Sequence, residues 1–144
     1  MKRRFSWPVF WALVAVFVVI ACLFFIPQFR ESLGGSWLFL TPLIVFFLLG
    51  VALIAFTLRE RVSGRLKKFF LLTGASAAGF FLFVLLHNAF YALGTVSGDL
   101  SILGPLVDFL DAAFFFMAIP VCPLGFLVGA IGSIVLLLKN SGSS

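Results

Sequence analysis

The chain has 144 residues, 63% of them hydrophobic and 10% charged, with a formal net charge of +5. A soluble domain carries roughly 25% charged and 45–50% apolar residues, so a water-soluble globule is excluded. Disorder is excluded too, because it needs low hydrophobicity and high charge. What remains is an all-α polytopic membrane protein, expected as one four-helix transmembrane domain over residues 1–140.

A helix needs about 20 apolar residues to cross a hydrocarbon core roughly 30 Å thick, and four runs fit. Membrane β-barrels would show shorter segments of alternating polarity instead. The first span is predicted over about residues 7–26, with Pro8 in its first turn and Pro27 at its end. The second covers about residues 37–58, after the turn Gly34-Gly35-Ser36. The third covers about residues 69–93 and closes at Gly94. The fourth covers about residues 112–138 and is interrupted by Pro120 and Pro123, with Gly104-Pro105 as an earlier candidate start. The first run is longer than the apolar stretch of a signal peptide and lacks an A-x-A-like cleavage site, so it reads as a retained span. Residues 141–144 read as a flexible tail.

Lys and Arg in short loops set orientation. Nine of the ten fall on one side: Lys2, Arg3, Arg4, Arg59, Arg61, Arg65, Lys67, Lys68 and Lys139. Arg30 is alone on the other, with Glu31, Asp99, Asp108 and Asp111, while Glu60 joins the bases. Both termini and residues 59–68 are therefore expected in the cytoplasm, and residues 27–36 and 94–111 outside, in a plasma membrane. Trp7 and Trp11 fall at the inner interface, Trp37 and Tyr91 at the outer one, where amphipathic rings prefer to sit. The basic loop Arg59, Arg61, Arg65, Lys67, Lys68 is first a topological signal and second a contact for anionic lipid head groups. Nothing points to nucleic acid. Asp108 and Asp111 in the outer loop read as solvation and capping of the fourth span, not as a metal site.

Helix association in lipid relies on close packing of small residues. The third span offers Gly74/Ala78 and Ala75/Gly79, and the fourth repeats Gly125, Gly129 and Ser133. Both stretches lie in the inner half of the membrane, so spans three and four are expected to meet there. A homodimer face is the alternative. The 21 phenylalanines supply lipid-facing and core rings, and the functional alternative is a groove for an acyl, isoprenoid or quinone chain.

Ionisable groups inside a membrane mark proton paths and catalysis. The predicted spans hold no Asp, Glu, Lys or Arg, and His87 is the one candidate. The chain lacks the embedded Glu of small multidrug transporters and the C-x-x-C pair of quinone-linked disulfide-forming enzymes. Cys22 and Cys122 read as two buried thiols. No cofactor, zinc signature, catalytic triad or phosphate loop is indicated.

His87, Asn88 and Tyr91 share one face near the outer end of span three. A proline leaves the carbonyl four residues earlier without its donor, so Pro120 frees Phe116 and Pro123, next to Cys122, frees Ile119. Depth at about 1.5 Å per residue, counted from midpoints near Phe81 and Gly125, puts these carbonyls level with the cluster. The expectation is a latch in which His87 or Asn88 donates to the carbonyl of Phe116 or Ile119. At the level of function, the sequence reads as a non-catalytic accessory or interaction subunit, homo-oligomeric or bound to a larger membrane protein. A small transporter or channel opening at His87, and a lipid- or quinone-handling enzyme, are the alternatives.

Overall fold

A computed structural model describes residues 5–33, 35–96 and 103–141. The sequence features at Lys2, Arg3, Arg4, Gly34, Asp99 and residues 142–144 lie outside them. The described residues form helices and no strands, and four of the helical stretches are long and apolar enough to cross a membrane.

Helix α1 covers Ser6–Phe25. Ile26 is extended, and Pro27 then opens a short second helix, α2, Pro27–Leu33. A 3-10 turn at Trp37–Phe39 leads into α3, Thr41–Arg59, with Pro42 in its first turn, where a missing N–H costs little. Helix α4 runs Gly64–Val96, 33 residues or about 50 Å, and so overshoots a roughly 30 Å core at both ends. It passes straight through Gly94. The fourth span begins at Leu103 as α5, Leu103–Phe116, widens into a π turn at Met117–Val121, and continues as α6, Cys122–Ser141.

Two boundaries thus differ from the hydropathy reading. Arg65, Lys67 and Lys68 sit on the first turns of α4, so the basic loop shrinks to Glu60–Ser63. Asp108 and Asp111 are on α5, not in a loop. Hydropathy marks where the apolar stretch ends, whereas backbone hydrogen bonding carries a helix on into the polar interface.

Neighbouring helices are antiparallel, and α4 is central, packed on α3, α5 and α6. Its register there rests on two different faces. A Cβ on Gly50 of α3 would lie 2.8 Å from both Ala78 N and Gly74 O, so these two backbones touch. The Gly74/Ala78 pair therefore serves span two, not span four. Span four uses the adjacent face, because residues one apart on a helix differ by about 100°. A Cβ on Gly125 would meet Ser76 Oγ at 2.5 Å, and one on Gly129 would meet Thr73 N at 2.8 Å and Phe69 O at 3.0 Å. Ser133 is fully buried beside them and donates to Gly129 O at 2.8 Å. Ala75 faces outward, and Gly79 lies against Cys122 Sγ.

Phenylalanine builds the middle. Phe10 stacks on Phe70 at 5.2 Å, Phe17 on Phe126 at 4.4 Å, and Phe46 leans on Phe126 at 5.2 Å. Stacked and tilted ring pairs of this kind add about 0.5–1.5 kcal/mol each beyond burial.

At the end bearing the termini, α3 caps α1. Glu60 accepts hydrogen bonds from the Phe5 N–H at 2.7 Å, the Ser6 N–H at 3.3 Å and the Ser6 hydroxyl at 2.6 Å. A carboxylate at a helix N-terminus satisfies orphan donors and meets the positive end of the dipole. Desolvation pushes the Glu60 carboxyl up, but the bonds from the Ser6 hydroxyl and the Phe5 and Ser6 N–H groups together outweigh it and hold it below the ordinary value. A depressed carboxyl stabilises the fold above the ordinary Glu range, and that contribution is lost as pH falls through the lowered value. Glu60→Ala is expected to cost about 1 kcal/mol at pH 7, with the difference from wild type narrowing as pH falls below the ordinary Glu range. Denaturant unfolding in detergent across pH checks this; a difference that persists undiminished at low pH contradicts the cap.

Candidate functional site: a lateral apolar cavity beside a polar pair

The polar cluster assembles differently from the predicted latch. His87 Nδ1 lies 2.8 Å from Asp111 Oδ1 and 3.3 Å from the Asp111 carbonyl. The ring aims its N–H at the carbonyl, so Oδ1 sits close but off line and has no hydrogen-bond partner. About a quarter of each side chain is exposed. The His87 ring also rests against Phe115 at 5.2 Å and Tyr91 at 6.4 Å between centroids. Asn88 turns away to donate to Val84 O on its own helix at 2.7 Å, and Tyr91 is 62% exposed.

Neither Phe116 nor Ile119 receives a donor from these side chains, for two reasons. The π turn gives carbonyls donors five residues on instead of four; the Cys122 N–H donates to Met117 O in this way. The prolines are accommodated within the helix itself, with Pro120 inside that turn. The midpoint of the fourth span also differs from the one expected from hydropathy. With the span running Leu103–Ser141 its centre is Cys122, not Gly125. His87 lies seven residues from the α4 centre at Phe80, level with Phe115, and Asp111 is one turn farther out on the same face. Asp111 is thus a helical residue beside His87, not the loop carboxylate expected from hydropathy. The signal that could have found it was the Gly104-Pro105 start, which places it on a helix.

A small cleft of about 190 Å³ opens beside this pair, lined by Tyr91, Thr95, Asp108 and Asp111 among others. The larger cavity, about 380 Å³, is elsewhere and nearly free of polar groups. On α1 it is lined by Phe17, Ile20, Ala21, Phe24 and Phe25, and on the fourth span by Ile119, Cys122, Pro123 and Phe126. Both sets follow i, i+3, i+4, i+7 spacing, so each is one continuous helix face. Such faces normally close on each other. Here they meet at the Phe17–Phe126 stack, and the cavity lies beyond it, towards the end opposite the termini. Phe46, Ser76 and Phe80 form the back wall. Phe25, Phe24 and Ile119 at the mouth are 85%, 48% and 49% exposed.

The predicted site residues therefore divide. Ile119, Cys122 and Pro123 line the cavity; Phe116 faces outward; His87, Asn88 and Tyr91 stand apart from it. Cys122 is buried but Cys22 is exposed, and both are free thiols. Arg59, Arg61, Arg65 and Lys68 are exposed at the end bearing the termini, with Lys67 half-buried. The described residues contain no cluster of three or more His, Cys, Asp or Glu placed to hold a metal. Sequence reasoning missed the α1 face, which hides within a uniformly apolar span, and Ser76, masked by its small-residue neighbours. Comparison with protein-family models, with curated proteins and with solved structures finds no match.

Proposed function

We propose that this chain is a non-catalytic membrane protein of the plasma membrane, an accessory subunit whose lateral cavity receives an apolar group within the bilayer. The observation that carries this reading is the pair of facing apolar stripes on α1 and the fourth span, held apart around about 380 Å³. Protein interiors are close-packed with few voids larger than a water molecule, so a space of this size between two apolar helix faces is room for an apolar guest. The titratable pair His87–Asp111 lies outside the cavity, so its chemistry has no access to what the cavity holds. A transporter would need a continuous polar path, and the buried residues described are mainly apolar, with Thr57, Thr73, Ser76 and Ser133 as the hydroxyls within the spans and no buried charge among them.

Photolysis of a small aryl-diazirine that partitions into the membrane tests the reading. Peptide mapping is expected to find label on Phe126 and Ser76, which line the cavity and are otherwise buried. Label confined to outward residues such as Leu124 and Val128 contradicts it.

The proposed orientation places the termini and Arg59–Lys68 in the cytoplasm and α2 outside, as the positive-inside rule requires. Single cysteines at Ser63 and Ser32, in a background with Cys22 and Cys122 replaced, are expected to label from opposite sides, with Ser32 reactive in intact cells. Labelling of both from one side overturns the four-span topology.

A further inference from the structure

The geometry points to one occupant of the cavity: the hydrocarbon tail of a bilayer lipid, drawn from the leaflet at the end opposite the termini. This rests on the reading that the cavity receives an apolar group. Three observations select the tail. The α1 face from Phe17 to Phe25 is about 12 Å long at 1.5 Å per residue, close to the thickness of one leaflet, which is half of a roughly 30 Å core. The Phe17–Phe126 stack, 4.4 Å between centroids, closes the groove at mid-depth. A partner's transmembrane helix runs through both leaflets, so a groove blocked halfway does not seat one, whereas a lipid tail ends where this groove ends. The third is charge: no Asp, Glu, Lys, Arg or His lines the cavity, so a head group stays beyond the mouth at Phe24 and Phe25 while the tail lies within. The tail gains from entering only to the extent that the cavity packs it better than neighbouring lipid does, because both surroundings are apolar.

The test uses the full chain in vesicles of phosphatidylcholine containing a small fraction of one of two photoactivatable phosphatidylcholines. One carries a diazirine at the end of its acyl chain, the other carries it near the ester. The tail-end probe is expected to cross-link Phe126 and Ser76 at the floor, and the ester-side probe Phe24, Phe25 and Ile119 at the mouth. Ala21→Trp, which puts a large side chain into the space, should lower the floor cross-links at least tenfold; Ala21→Phe serves if the tryptophan variant does not fold. Tail-end cross-links restricted to outward residues such as Leu124 and Val128 overturn the proposal. If the free aryl-diazirine still labels the floor in that case, the cavity takes apolar groups but not lipid tails. If neither probe reaches the floor, the underlying reading fails with it.

Discussion

Gly50→Leu and Gly129→Leu are each expected to destabilise the bundle by about 3 kcal/mol or more, at or above the top of the range for overpacked cores. At Gly50 the obstacle is main chain: a Cβ would stand 2.8 Å from Ala78 N and from Gly74 O. At Gly129 it would meet Thr73 N at 2.8 Å and Phe69 O at 3.0 Å. Backbone atoms cannot rotate aside, so a larger side chain must separate α3 from α4, or α4 from α6. In lipid this matters more than in water, since the helices have no solvent-driven collapse to hold them and depend on contact. Ala75→Leu is the control. It lies on the small-residue stretch of α4 but faces outward, and should change stability by no more than about 0.5 kcal/mol. Unfolding in detergent measures all three. A loss at Ala75 equal to that at Gly129 would mean the face assignment of α4 is wrong.

His87 and Asp111 are expected to behave as a coupled pair. His87 Nδ1 stands 2.8 Å from Asp111 Oδ1 with about a quarter of each side chain exposed, and a polar group left without its neighbour at such a site costs about 1–3 kcal/mol, so a loss of that order is expected for His87→Ala or Asp111→Ala. The double variant should cost clearly less than the two single losses together, with a coupling of about 1 kcal/mol or more. Additive losses would mean that the two groups meet without supporting each other. Asn88→Ala should be nearly silent, since its amide only bonds back to Val84 O on its own exposed helix face.

Much of the architecture was legible in the residues. Four long apolar runs become four long helices because a helix satisfies its own backbone, and the runs are too apolar for anything else. Helix ends were less legible. Arg65, Lys67, Lys68, Asp108 and Asp111 lie on helices that outrun their apolar stretches, and hydropathy carries no signal for that. The consequence reached the site, because misplacing the start of span four moved its midpoint by three residues and replaced Asp111 with Phe116 and Ile119 as the partners sought for His87. The π turn was the other missing piece. Pro120 and Pro123 announce an irregular helix, but two solutions exist, outside donors or a local change of hydrogen-bond step, and the sequence does not choose between them. Packing partners were ambiguous for a similar reason. Gly74 and Gly129 both require close approach, yet only the lone Gly50 in span two indicates that α4 has a second neighbour to satisfy. The cavity was the least legible of all. Phe17, Ile20, Phe24 and Phe25 are indistinguishable in type from the lipid-facing residues between them, so which face is held off its neighbour depends on the tertiary arrangement.

On this reading α1 and the fourth span part around a space that an apolar group enters. The most direct measurement is the extent of aryl-diazirine label on Phe126 and Ser76 in wild type against Ala21→Trp, normalised to label on the outward residues Leu124 and Val128 of the same sample. Strong floor labelling is expected in wild type and at least a tenfold fall in the variant, with outward labelling unchanged. Equal floor labelling in the two proteins, or none in wild type, would contradict it.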